Sequence, residues 1–526
     1  MKRIIVEILV VFLMGTFVFA GGKSSGSTPA SGGPVAITVE VFDRGTDGGR
    51  SDPTNNNWTK WIQEKVLKDE NISVTFVPVP RSNETTGLNN LMAAGNPPDV
   101  CLTYSEDLIG SYRDMGGVLD LSPYIDTLLP DLKKFLGPDM ALPGRDFIRR
   151  SMDTETGKIY FIPGRRMNTA LIGTFIRKDW LDKLGLAPPK TTQEFYDALV
   201  AFKERDPGGV GANNVIPFTM SRDVRWRAGN LLNSFIDPNL SDRDRWVNTV
   251  VSRNYLLAGY KEGVRFMNKM YNAGLIDRDF PLAVDDTPGD NLFKSGVVGA
   301  YIHNWDHIYR DSPGIYRGLK TNVPTAEVVA IDPFTDSRGI TAKGAYDAAG
   351  VNFFIPASAK NPEAALRYIN WLARFENYNF LQIGPEGIVH DIVDGIPKLK
   401  AGEGLWIQNS AQNIDYTIHI NGLDLGDKTK NARALAVSYV VDPALIINAY
   451  DLAMKNARAG LVVPVTLSVA GPYTQTLSDK GNVWMAEAIT CPPANFDQVW
   501  ETNRIDWLAS GAQAIIDERR EKYIAP

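Results

Sequence analysis

From Val35 onward the apolar positions follow two rhythms that alternate along the chain. In VAITVEVF, Val35, Ile37, Val39 and Val41 recur at every second position, which predicts a strand. Trp58, Trp61, Ile62 and Val66 then recur at helical spacing. ISVTFVPVP predicts a second strand. Leu88, Leu91 and Met92 predict a second helix, closed by Gly95 and the Pro97-Pro98 break, and DVCLTY predicts a third strand. Strand, helix, strand, helix, strand at these lengths implies a parallel α/β sheet. Ligands of such sheets gather beyond the carboxyl ends of the strands, which singles out the loops at 44–57, 80–83 and 103–107.

The same alternation resumes further on. Leu171 to Ile176 predicts a strand, and Arg177 to Leu184 begins a helix. Thr191 and Glu194 form a capping box ahead of a helix whose apolar stripe is Phe195, Leu199 and Phe202. Val264, Met267 and Tyr271 share one face of a helix over 263–273. VVGAYIH predicts a strand, AYDAAGVNFFIPASAKNPEAALRYINWL a strand, turn and helix, and 497–509 and 512–523 two closing helices. This length favours two lobes over one core.

The ends and the composition narrow the setting. Lys2 and Arg3, an apolar run from Ile8 to Phe19, and Val18-Phe19-Ala20 read as an export signal over 1–20. Residues 21–34, GGKSSGSTPASGGP, contain no large apolar side chain and read as a flexible tether. No cysteine follows the apolar run, so lipid attachment is not expected and a periplasm is the expected location. The chain has 55 basic and 61 acidic residues, a mild acidity that argues against nucleic-acid or lipid binding. Cys101 and Cys491 fit a disulfide or two buried thiols equally well.

One short stretch invites a metal. HNWDH, at 303–307, places two of the chain's four histidines four residues apart. A zinc protease helix needs HExxH, and here the second position is Asn304, so the catalytic base is missing and no metal is expected. His303 is kept as a ligand-binding candidate. Trp305, at a strand's carboxyl end beside Asn304 and Asp306, suits the apolar face and polar rim of a sugar ring. Packing between loops explains Trp305 equally well.

The order of several fragments resembles a known family, the extracellular solute-binding proteins of family 1 that serve bacterial ABC importers. LNNLMAAGNPPDV resembles its "lmasGdlPDv", TGKIYFIP its "dGKiYaiP", and IRKDWLDKLGLAPPKTTQEFYDALVAFKERDP its "iRkDWLdkLGlk.PkTldEfy..lkaFkekDp". MYNAGLIDRDF, FKSGVVGA and KNPEAALRYINWL follow in order. GPEGIVHDIVDGIPKL and the closing helices resemble segments of the larger, oligosaccharide-binding members.

The resemblance implies two α/β lobes, each a mostly parallel sheet flanked by helices, with the ligand in the cleft and hinge closure over it. It places 35–170 and 345–398 in the first lobe and 171–344 and 399–526 in the second. It implies a monomer that hands a polar solute, expected to be an oligosaccharide, to ABC permease subunits in the membrane without chemistry of its own. Some relatives carry a calcium loop of the form DPNGNGKxDEIPF. The matching DPGGVGANNVIPF keeps Asp206, and Asn214 still offers oxygen, but Gly208, Val210 and Val215 replace acidic ligands. Calcium takes six to eight oxygens, so no cofactor is expected.

Arg165 and Arg166 follow the strand where relatives contact ligand, and two adjacent cations suit a carboxylated sugar. Arg44 in the first loop, Tyr104 in the third, and Trp226 between Arg225 and Arg227 are further candidates. So are Trp58 at a helix start, and Glu386 and His390 in GPEGIVH. A glycan-active enzyme with paired carboxylates remains the competing class, although no GxSxG, HExxH or GxxxxGK stretch announces one. A sensor subunit that presents its ligand to a receptor is the third.

Overall fold

The computed structural model describes residues 33–45, 52–139, 144–310, 313–341, 343–400, 402–439, 441–463, 465 and 467–524. The export signal, most of the tether and residues 46–51 of the first loop lie outside the described residues.

The first strands form where the period-two pattern places them. β1 (Val35–Asp43) and β2 (Ile72–Pro80) pair in parallel along their whole length. The helix Asn57–Glu70 connects them. It is opened by Asn56, whose side chain accepts the Trp58 and Thr59 amides while Thr59 Oγ1 accepts the Asn56 amide. A bridge from Val39 to Val100 adds β3 (Cys101–Thr103), and β4 (Ile162–Arg166) completes the first pass through this lobe.

The chain next builds the second lobe. β5 (Ile172–Arg177), β6 (Ile216–Thr219), β7 (Val298–Asn304) and β8 (Val328–Ile331) form one sheet in the order β6-β7-β5-β8. β9 (Lys343–Gly344) leads the chain back. β10 (Ala349–Phe354) then inserts antiparallel between β3 and β4. The hairpin β11 (His390–Val393) and β12 (Ile396–Leu399) follows, and β13 (Ile420–Asn421) pairs in parallel with the free edge of β4. β14 (Ala457–Arg458) lies beside β9. The first sheet therefore runs β2-β1-β3-β10-β4-β13.

Two lobes are present as expected, but their sheets are mixed rather than mostly parallel. The strands next to the crossings run against their neighbours: β10 against β3 and β4, and β5 against β7 and β8. Each sheet is buried by helices. The first core gathers Val39, Val41, Ile62, Ile162, Phe353, Leu366 and Trp371. The second gathers Ile176, Trp180, Phe195, Phe202, Phe218, Met267 and Ala300. Each large apolar side chain so buried contributes roughly 1.5–3 kcal/mol.

The chain passes between the two cores at 167–171 and again at 345–348. The third crossing differs. Tyr416 and Ile418 belong to the first core, and Leu423 and Leu425 pack on Ile396, so the chain stays with the first lobe well past Leu399. It changes lobe after Ser438, before the helix Pro443–Met454 packs on the second core. Opposite these crossings the lobes touch. Ser111 Oγ donates to the Ser468 carbonyl at 2.7 Å, and Ser468 is tied to the C-terminal helix by Glu518. Cys101 lies in the first lobe and Cys491 in the second, both as free thiols. Among the described residues no helix is long and apolar enough to cross a membrane.

Candidate functional site

The carboxyl ends of β1, β2 and β3 converge at one corner of the cleft. Phe42 and Tyr104 stack with ring centroids 6.0 Å apart, and the Arg81 guanidinium lies 4.3 Å from the Tyr104 centroid. Arg44 donates from Nε and Nη2 to the two oxygens of Asp415, at 2.7 and 2.8 Å. Burial alone would lower the Arg44 pKa, but Asp415 outweighs it and raises it. The loops at 44–57 and 103–107 thus deliver side chains to one place, as strand ends do in this class of sheet.

Ser105 caps the helix Glu106–Asp114, whose first turn carries two acids. Glu106 is exposed to solvent on one side, with protein crowding its carboxyl. Burial pushes its pKa up to about 7, with Arg150 opposing and Asp347 adding to the rise. Asp107 rises to about 6, again through burial, opposed by Arg519. Arg150 binds both oxygens of Asp347 at 2.9 Å.

The end of β4 points two cations at the crossing segments. Arg165 lies 4.2 Å over the Phe147 ring and donates to the Pro138 carbonyl at 3.3 Å. Arg166 lies 4.0 Å over the Tyr346 ring. The Tyr346 centroid is 5.7 Å from that of Trp226, which belongs to the second-lobe helix Val224–Arg227. A single run of contacts therefore joins first lobe, crossing segment and second lobe.

On the second lobe, Arg227 binds both oxygens of Asp286 at 2.8 and 2.6 Å and reaches Asn304 at 3.3 Å. Burial raises the Asp286 pKa, but His303 and Arg227 outweigh it and hold the carboxyl far below the usual range. Asp306 is held by Arg310 at 2.7 Å and by the Tyr439 hydroxyl.

HNWDH can now be read. The ligand atoms of Asp290, His303 and His307 lie within 4.8 Å of one another, and the two imidazoles stack with centroids 3.3 Å apart. His303 Nδ1 accepts the Asn304 amide at 2.8 Å, which assigns the ring proton to Nε2, 3.1 Å from Asp286. His307 Nε2 faces both oxygens of Asp290, at 3.0 and 3.2 Å, and the Tyr301 hydroxyl donates to the same carboxylate at 2.7 Å. His303 Nε2, although 3.1 Å from Asp286, has no hydrogen-bond partner among the described residues. Hydrogen bonds to Asp290 brace the His307 and Tyr301 side of the cluster. The loop at 206–214 is self-contained: the Asp206 carboxylate accepts the Val210 and Gly211 amides at 3.0 and 2.8 Å.

Of the candidates, the structure brings Arg44 and Tyr104 to one corner, and Arg166 and Trp226 together around Tyr346, with Arg165 beside them. It places others elsewhere. Trp58 is fully buried, its ring 4.9 Å edge-on to Trp406 and its indole N–H facing the Trp406 and Ile407 carbonyls. Gly384 admits that ring, since a Cβ there would stand 2.6 Å from Trp58 Cη2. Trp305 is 6% exposed in the second-lobe core under Ile446, Ala449 and Tyr450, so its faces are taken by packing. His303 is buried in the cluster with His307. His390 is buried with Nδ1 2.9 Å from the Ile383 carbonyl, and Glu386 stands on the exposed turn before β11. Sequence reasoning missed Tyr346, Asp347, Arg150, Glu106 and Arg310. Tyr346 and Asp347 carried a signal, because they sit in the expected crossing near Gly344.

Comparison with known proteins agrees with this architecture. The family model for bacterial extracellular solute-binding proteins matches residues 53–377. The chain is 23% identical over 550 residues to the polygalacturonan/rhamnogalacturonan-binding protein YtcQ of Bacillus subtilis, covering 99% of this chain and 98% of that one. It is 30% identical over 236 residues to the fructooligosaccharide ABC transporter substrate-binding protein FusA of Streptococcus pneumoniae, 42% of each. Among solved structures it resembles the alginate-binding protein AlgQ2 without calcium ion, with a TM-score of 0.64 at 20% identity over 93% of this chain and 98% of that one. It also resembles FusA as an EF-hand mutant with fructo-nystose, with a TM-score of 0.65 at 17% identity over the same shares. The chain belongs to the bacterial extracellular solute-binding protein family.

Proposed function

We propose that this chain is the substrate-binding component of an ABC import system, capturing an oligosaccharide between its lobes and delivering it to a membrane permease. The observation that carries this reading is the run Arg166–Tyr346–Trp226. It sets aromatic rings and hydrogen-bond donors from both lobes and a crossing segment on one wall, where closure places a ring-shaped polar solute against all of them. YtcQ, FusA and AlgQ2 are described as binders of acidic and of neutral saccharides, so similarity supports a sugar and leaves its charge open.

In this reading the protein acts as an exported monomer in the periplasm and leaves its solute chemically unchanged, the ATPase of the importer supplying the work. No cofactor is expected to take part, because Gly208, Val210 and Val215 offer no side-chain oxygen in the loop that follows Asp206. Thermal shift against a saccharide panel tests the proposal. A binder gains stability with rising sugar concentration and returns the sugar intact, whereas an enzyme consumes it.

A further inference from the structure

The arginines around the cleft divide into two sets. Arg44, Arg150, Arg227 and Arg310 each hold a carboxylate: Asp415, Asp347, Asp286 and Asp306. Arg165 and Arg166 hold none. Among the described residues no carboxylate comes within 4.0 Å of either guanidinium, and the buried Nε of each lacks a hydrogen-bond partner. Both are half-buried, and each is braced by an aromatic face, Phe147 under Arg165 and Tyr346 under Arg166. Ring stacking fixes the plane of a guanidinium and leaves its N–H edge to bind. A partly desolvated cation with no carboxylate in contact is costly, and an arriving anion relieves that cost. Burial accordingly lowers the Arg165 pKa, with Asp139 opposing.

We propose that Arg165 and Arg166 form a carboxylate subsite, and that the captured solute is an acidic saccharide, an oligomer containing uronate residues. The inference rests on the cleft being the solute site. A uronate offers both features that the wall complements: a planar carboxylate for the guanidinium edges, and an apolar C–H face for the Trp226 ring that continues the run through Tyr346. The neighbouring paired arginines do not compete for the ligand, because their carboxylates already occupy them.

The test is calorimetric titration with oligogalacturonate, oligoalginate and glucuronoxylan fragments, each beside its carboxyl-reduced counterpart. At least one acidic oligomer is expected to bind about tenfold or more tighter than its reduced form, the scale of one charge-assisted hydrogen bond. In Arg165→Gln and Arg166→Gln that ratio falls toward one, and in Arg166→Lys it recovers only in part, since lysine keeps the charge and loses the fork. Circular dichroism confirms that each variant is folded. Equal or tighter binding of the reduced oligomers overturns the carboxylate subsite and leaves saccharide capture standing. An unchanged acid-to-neutral ratio in both glutamine variants overturns the assignment to these two residues. Failure of every oligomer, acidic or reduced, overturns both this inference and the reading on which it rests.

Discussion

The Arg166 guanidinium lies 4.0 Å from the centroid of the Tyr346 ring, a cation from the end of β4 resting on a residue of the segment that returns the chain to the first lobe. Tyr346 in turn meets Trp226 of the second lobe. If solute binds on this wall, a lobe movement that parts Trp226 from Tyr346 would alter its contacts.

Removing the indole isolates that contact. Trp226→Ala is expected to weaken saccharide binding by about 1–3 kcal/mol, the scale of a central interface aromatic. Trp226 packs only partly against the second core, so the unfolding midpoint should move little. Calorimetry beside thermal melting separates the two effects.

Trp305 has the opposite expectation. It sits in the second-lobe core, so Trp305→Ala should cost about 3–5 kcal/mol of stability through the cavity it leaves. Denaturant unfolding reads that loss directly. A variant of native stability with weakened sugar binding would return Trp305 to the ligand.

Stability should depend on pH through the helix Glu106–Asp114. Glu106, at about 7, and Asp107, at about 6, both stand above the ordinary carboxyl range because protein crowds them. Each binds its proton more tightly in the folded chain than in the unfolded one. The stability they allow is fully present below about pH 4 and falls as pH rises through 4.5 to 7. Glu106→Gln should flatten this slope in a pH series of melting temperatures between pH 4.5 and 8.

Two histidines act at the acid end. Burial lowers the His419 pKa to about 3, and burial with the Arg227 charge lowers that of His303. A folded value below the free one makes protonation oppose folding, so stability is lost as pH falls from 6.5 toward 3. His419→Asn should lessen the acid loss, measured as unfolding free energy at pH 4 relative to pH 7.

The contact opposite the crossings can be wedged. A Cβ at Gly471 would stand 2.3 Å from Ser111 Oγ, so Gly471→Val should hold the lobes apart. The expected result is weaker saccharide affinity through faster release, with each lobe folded as before. Stopped-flow dissociation rates provide the check.

Much of this fold is legible in the chain. The period-two run from Val35 and the stripe of Phe195, Leu199 and Phe202 specify their elements because each element buries one face regardless of its partners. The location of the tryptophans is not legible in that way. Trp58 and Trp305 stand at element ends where a cleft is expected, and each is covered by chain far along the sequence: Trp406 for one, the helix Pro443–Met454 for the other. Arg44 illustrates the same limit. Its position in a strand-end loop marks it, but only the fold brings Asp415 to neutralise it. Arg165 and Arg166 are the counter-case, where adjacency in sequence already concentrates charge and, among the described residues, no carboxylate forms an ion pair with either.

The proposed function requires two lobes to shut around a saccharide and leave it chemically unchanged. Small-angle X-ray scattering of the protein with and without a saturating oligosaccharide, with the sugar recovered and weighed by mass spectrometry, tests it most directly. The account predicts a smaller radius of gyration on binding and an oligosaccharide of unchanged mass. A radius that stays constant at saturation, or a sugar recovered in pieces, would contradict it.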